Sequence, residues 1–199
     1  MKRIFAVIII LSSCHCLSSL AFSIDEGVSG DLSGIDAIPS NLSLENGSNL
    51  LVGSAGLADF DIFSINIPDS LTLTAIQLNG YSPAAGVSFL GIQQGATWTA
   101  GKGNGVNGNA LLGWSLFGAN NIGQDLLPGA NTTSSGASGF DIPLGPGDYV
   151  FLLQDTGSSI SYSLDFVAAP VPLPASLVLL LSGVAGLVRI ARRVTRNHG

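Results

Sequence analysis

An all-β fold, a sandwich or barrel, is the expectation for residues 22–170, and three observations carry it. The apolar runs there are short and are broken by turn residues every 8–15 positions. Good helix formers are scarce, whereas Gly supplies 23 of the 149 residues, about twice the usual ~7%. The clearest strand, residues 160–167, alternates cleanly: Ile160, Tyr162, Leu164 and Phe166 share one face, and Ser161, Ser163 and Asp165 the other. That period of two is the mark of a strand with one buried side. A chain of this length buries ~70% of its unfolded surface, enough for one core, and 13 aromatic residues supply bulk for it.

The elements follow in chain order. Lys2 and Arg3 precede an apolar run at 4–11, a weakly polar stretch follows, and Ser19-Leu20-Ala21 offers small residues at −3 and −1 of a cleavage site. A basic start, a short apolar core and a small-x-small site predict a secretory signal helix over 1–21, removed after Ala21 by the export machinery, with Ser23 as the next cleavage candidate. A rival reading is a lipoprotein box at Leu11-Ser12-Ser13-Cys14, which would put a lipid on Cys14. The exported domain then spans 22–168. Residues 60–67 predict a strand ended by Pro68, and 71–78 a second. In the second, Leu71 and Leu73 are out of phase with Ile76 and Leu78, so a bulge near Ala75 is expected. Residues 87–92 and 111–117 predict two more strands, and 140–144 a short edge. Residues 149–154 and 160–167, joined by the Gly-containing turn 155–159, predict a hairpin.

The last segment, 169–199, begins around Val171-Pro172-Leu173-Pro174-Ala175, continues as an apolar run and ends with Arg189, Arg192, Arg193 and Arg196. Residues 173–191 as a helix would cover about 28 Å, near the ~30 Å hydrocarbon core. The four arginines place the tail in the cytoplasm, and Arg189 snorkels to the interface. The plain reading is a single-pass anchor. The order of parts, a Pro-containing pentapeptide, an apolar helix and a basic cluster, resembles the VPLPA-type variant of the PEP-CTERM sorting signals. That resemblance implies an exported protein of a Gram-negative bacterium, processing by a membrane-embedded exosortase, and an exopolysaccharide or biofilm setting. The two prolines deny helix hydrogen bonds and favour extended backbone, the conformation a processing enzyme needs.

The domain itself resembles bacterial pre-peptidase C-terminal-type sandwiches. The residues that carry this are Ala58-Asp-Phe-Asp-Ile-Phe-Ser-Ile-Asn-Ile-Pro68, the strand 71–78, Pro143-Leu-Gly-Pro-Gly-Asp-Tyr-Val-Phe151 and Tyr162-Ser-Leu-Asp-Phe166. The resemblance implies a jelly-roll-like sandwich and, in some members, an accessory binding module.

Charge and residue types exclude more function classes than any motif identifies. Residues 22–170 hold all 13 Asp and Glu against the single Lys102, a formal charge of −12 beneath the whole-chain −6. They contain no Cys, His, Arg or Met. A Ser-His-Asp or Cys-His nucleophile has no base there, and a Cys/His zinc site no ligands. Nucleic acid, which requires basic residues against phosphate, is excluded as a partner. No enzyme activity is expected.

Few candidates remain. Asp59 and Asp61 flank Phe60 and, with Asp141, Asp148 or Asp155, are candidate Ca²⁺ ligands, since Ca²⁺ takes six to eight oxygens; the plainer reading is solvated edge carboxylates. Calcium is the only cofactor the sequence suggests. A carboxylate pair could in principle serve a small glycan-active hydrolase. Trp98, beside the Gly-rich loop, is the candidate for stacking on a sugar, and Trp114 is expected in the core. Gly103, Gly105 and Gly108 spell GxGxxG without the flanking strand and helix a dinucleotide site needs, so a loop is expected, with Lys102 solvated. Asn41, Asn46 and Asn131 stand in N-glycosylation sequons. The combined expectation is a structural or adhesive cell-surface or matrix protein associated with exopolysaccharide; the alternative is a carbohydrate- or calcium-binding module.

Overall fold

In the computed structural model, residues 22–56, 58–155 and 157–172 are described. The predicted signal peptide with Cys14 and Ala21, the sorting-motif residues Leu173, Pro174 and Ala175, the predicted membrane helix and Arg189, Arg192, Arg193 and Arg196 lie outside them. No helix among the described residues is long and apolar enough to cross a membrane.

Alternation and apolar runs are resolved into nine strands: β1 (Ser23–Asp25), β2 (Ser40–Ser43), β3 (Leu50–Ala55), β4 (Asp61–Ile67), β5 (Leu71–Ser82), β6 (Ser88–Gln94), β7 (Gly113–Phe117), β8 (Gly147–Gln154) and β9 (Ile160–Pro170). They form two sheets, ordered β1-β3-β9-β5 and β2-β4-β8-β6-β7, so the predicted all-β sandwich is found. β1 runs parallel to β3 and β2 parallel to β4; every other pair is antiparallel. Two one-turn helices, α1 (Glu26–Ser29) and α2 (Leu127–Ala130), sit in the connections.

Between the sheets lies the main core. Phe63 and Phe151, register partners on β4 and β8, stack with centroids 5.3 Å apart, and Phe166 of β9 meets both edge-on at 5.7 and 5.6 Å. β5 contributes Leu71, Leu73, Ile76, Leu78 and Tyr81 to the same layer. The register with β9 shifts between Leu73 and Ala75. The extra residue there is the expected bulge, and it returns the out-of-phase leucines and isoleucine to one face. A second shift between Leu78 and Gly80 does the same for Tyr81.

The expected hairpin of 149–154 with 160–167 is not formed. β8 lies in the five-stranded sheet and β9 in the four-stranded one, so residues 155–159 carry the chain across the sandwich. The two runs differ in a way that explains this. β9 alternates because one face is wet, whereas Tyr149-Val150-Phe151-Leu152-Leu153 is continuously apolar and buried on both faces. Stacked sheets lie ≈ 10 Å apart, and five residues reach that far at ~3.3 Å each. The outer face of β8 is covered by a second cluster in which Val150, Leu152 and Ile62 meet Trp98, Ala100, Leu111 and Ala137 from the loops. The predicted edge at 140–144 is likewise absent as a strand. Only Leu144 pairs, with Leu73; Pro143, beside it, lacks the N–H a ladder requires.

Replacing Phe151 by Ala should lower stability by about 3–5 kcal/mol, because the aromatic trio surrounds it and leaves a cavity. Leu116→Ala, at a side chain 55% exposed, should cost under about 0.5 kcal/mol. Thermal melts of the full chain in detergent, followed by circular dichroism, check the contrast.

Candidate functional site

The alternation that points Phe63, Ile65 and Ile67 into the sandwich also points Asp61 inward, at the first position of β4. Its side chain is fully buried. One carboxylate oxygen, Oδ2, accepts the Tyr162 hydroxyl at 2.8 Å; the other, Oδ1, is buried with no hydrogen-bond partner. A buried charge without a partner is costly and is normally neutralised or paired. The N-terminal segment brings further carboxylates to it. β1 adds in parallel along β3, and the Asp25 side chain caps α1 by accepting from the Gly27 N–H at 2.9 Å. Glu26 then reaches back over β3. Its Oε2 accepts from the Ser54 N–H at 2.7 Å and its Oε1 from the Leu32 N–H at 3.1 Å.

Gly53 leaves the space for this meeting: a Cβ there would lie 2.6 Å from the Tyr162 hydroxyl and 2.7 Å from Glu26 Oε2. With Asp31 the group is complete. One oxygen each of Glu26, Asp31 and Asp61 lies within 4.8 Å of the others, and the three run from half-buried Glu26 and exposed Asp31 to buried Asp61.

Mutual repulsion and burial set the protonation. The Asp61 carboxyl is pushed up to about 8, chiefly by burial and then by Glu26, against the opposing Tyr162 hydroxyl. Burial also raises Glu26, although the Ser54 and Leu32 amides pull it down. Asp59 is raised by burial and by Asp31. The Tyr162 hydroxyl is pushed well up by burial and the neighbouring carboxylates. The arrangement offers hard oxygens only, suited to a shared proton or to a hard cation.

Of the two candidate Ca²⁺ residues, Asp61 is a member of this cluster and Asp59 stands beside it, half-buried. Asp141, Asp148 and Asp155 are elsewhere. Asp141 is exposed, and Asp148 accepts from Asn66 Nδ2 at 2.7 Å. Asp155 is buried, with the Tyr81 and Ser88 hydroxyls 3.4 and 3.3 Å from its Oδ2 and the Gly157 and Ser158 amides donating to its Oδ1. Glu26 and Asp31 went unnoticed in the sequence, because only the parallel β1–β3 pairing brings them to Asp61.

Of the two tryptophans, Trp98, expected to be exposed, is the buried one, and Trp114, expected in the core, packs partly buried against the second cluster. Trp98 is 2% exposed and donates its indole N–H to the Gly101 carbonyl at 2.7 Å. Gly91 makes room for it, since a Cβ there would meet the Trp98 ring at 2.9 Å. Trp114 is the half-exposed one. Being on edge strand β7, it has no neighbouring strand beyond it, and it stacks on Phe89 with centroids 6.0 Å apart. Lys102 is also not simply solvated. It pairs with Asp36 at 3.0 Å, donates to the Gly34 carbonyl at 2.8 Å and lies 5.2 Å from the centre of the Phe60 ring. The GxGxxG stretch forms short 3₁₀ turns, with Gly103 held through both backbone groups by the Gln154 amide. Val171 and Pro172 are exposed where the described chain ends, and the Val171 N–H donates to the Ser70 carbonyl at 2.9 Å.

Comparison of the chain with protein-family models, curated proteins and solved structures found no match.

A raised folded-state pKa has a definite sign in linkage: the folded protein holds the Asp61 proton more tightly than the unfolded chain does. In a chelator-treated sample, the stabilisation is therefore complete below about pH 4, the ordinary carboxylate range, and is lost as pH rises toward about 8. Asp61→Asn should flatten that slope, measured as the urea midpoint across this pH range.

Proposed function

We propose that this is an exported, non-enzymatic surface or matrix protein of a Gram-negative bacterium, held at the membrane by its C-terminal helix until an exosortase-type enzyme processes it. The observation that carries this reading joins sequence to geometry. The one cation of residues 22–170, Lys102, is paired at the surface with Asp36 and donates to the Gly34 carbonyl, so its charge is offset and the domain keeps an almost wholly anionic surface. It stands between a predicted signal peptide and a VPLPA-type tail. A strongly one-signed surface keeps molecules apart and soluble outside the cell, and it suits cation-bridged association with acidic exopolysaccharide.

A jelly-roll arrangement of the sandwich is supported by its strand order. Residues 123–126 hydrogen-bond to the free side of β5, through the Gly123 N–H to the Leu78 carbonyl at 2.7 Å and the Leu126 N–H to the Ile76 carbonyl at 2.8 Å. They stand where that architecture places its remaining strand.

The mass and terminal peptides of the protein purified from its host test the reading. A start at Phe22 and an end within or just before 171–175 is the expected result. An intact C-terminus at Gly199 would make it a plain single-pass anchored protein instead, and a lipid on Cys14 would overturn the N-terminal half of the reading.

A second reading, a carbohydrate-binding module, is favoured by one feature. The half-exposed Phe89 and Trp114 rings line a recess of about 140 Å³ with Val106, Gly108, Leu111 and Ser135. Glycan titration should then shift tryptophan fluorescence, and Trp114→Ala should abolish the shift; no response to an exopolysaccharide panel would remove this reading.

A further inference from the structure

We propose that Glu26, Asp31 and Asp61 form a binding site for a single divalent cation, with Ca²⁺ as the occupant. Three carboxylates, two from the N-terminal segment and one from β4, offer oxygens within 4.8 Å of one another. Ligands at ~2.3–2.6 Å from one Ca²⁺ stand up to about 5 Å apart, whereas Mg²⁺ at ~2.0–2.1 Å would require the oxygens to close in. The spacing admits the larger ion, and an all-oxygen set that includes an exposed, adjustable carboxylate suits the looser geometry of Ca²⁺ better than the strict octahedron of Mg²⁺.

The orphaned Oδ1 of Asp61 is a separate observation pointing the same way. A core this well packed leaves few buried acceptors unsatisfied, and this one belongs to the fully buried member of the cluster.

The surrounding groups hold the ligands in place. The Ser54 and Leu32 amides fix both oxygens of Glu26, and the Tyr162 hydroxyl fixes the second oxygen of Asp61. Asp31, exposed, is the entrance, and water entering there would complete the coordination shell. Among the described residues no Lys or Arg competes, because the sole Lys there is paired with Asp36. Three carboxylates with water making up the remainder resemble the weaker extracellular sites, which bind at about 10⁻⁴–10⁻³ M. The ion would tie the N-terminal segment that carries Glu26 and Asp31 to β4. None of this depends on how the C-terminal tail is processed.

The competing occupant is a proton shared between Asp61 and a neighbouring carboxylate, and the experiment separates the two. The full chain in detergent, stripped with chelator, is titrated with Tb³⁺ as a luminescent stand-in, with emission excited through tyrosine and competed by Ca²⁺ or Mg²⁺. The expected result is one site, displaced by Ca²⁺ at about 10⁻⁴–10⁻³ M and at least tenfold less readily by Mg²⁺, with a higher melting temperature in Ca²⁺. Asp61→Asn should weaken binding at least tenfold. Asp31→Asn, at an exposed position that leaves folding intact, should do the same, while Asp141→Asn should change nothing. The proposal is overturned if the emission does not saturate at one site, or if Asp31→Asn binds as the parent does. It is equally overturned if the melting temperature responds to pH and ignores Ca²⁺, the behaviour of a shared proton.

Discussion

Covering both faces of the central strand Gly147–Gln154 is the requirement on which the rest of the molecule depends. Its inner face, Tyr149, Phe151 and Leu153, is met by the opposite sheet; its outer face, Val150 and Leu152, is met by loops. A two-layer sandwich ordinarily leaves its outer faces to water. Here the long connection between β6 and β7 becomes a third layer, with Trp98 as its largest contribution. Tethers that looked incidental acquire a purpose in this light. Lys102 on Asp36 and Gln154 on Gly103 hold that connection down, and the Trp98 indole on Gly101 braces it internally.

Local pattern was readable where burial is one-sided. Ile160 to Phe166 gave its strand and face directly, and the phase error between Leu73 and Ile76 located a bulge. Pattern failed where the deciding contact lies far along the chain. The apolar run at Tyr149–Leu153 marks a strand, but which sheet receives it depends on what covers Val150 and Leu152. The same blindness misplaced the tryptophans, because Gly91 vacates space for Trp98 on a neighbouring strand and β7 leaves Trp114 at an edge. One member of the carboxylate cluster, Asp61, was visible, together with its neighbour Asp59. Glu26 and Asp31 were not, since a three-residue parallel strand such as Ser23–Asp25 has no periodicity to detect.

The site and the core are products of one geometric rule. Strict alternation along β4 buries Phe63, Ile65 and Ile67, and it buries Asp61 as well, at the first position of the strand. The hydroxyl of Tyr162 and the missing side chain of Gly53 make a polar end to an otherwise hydrocarbon interior. Asp155, with the hydroxyls of Tyr81 and Ser88, is a second buried carboxylate, satisfied by protein groups alone. The contrast between the two isolates what is unusual about Asp61: it has one hydroxyl partner and, beyond that, only other acids.

The strand Ile160–Pro170 is the last of the nine among the described residues, yet it lies in the interior of its sheet, between Leu50–Ala55 and Leu71–Ser82. Those two strands do not touch each other without it. During synthesis the four-stranded sheet therefore stays unassembled until these eleven residues have been made, whatever the rest of the domain has already formed. Completion of the fold is timed by the strand that ends at Pro170, and a chain cut short before it would lack the link between two halves of one sheet.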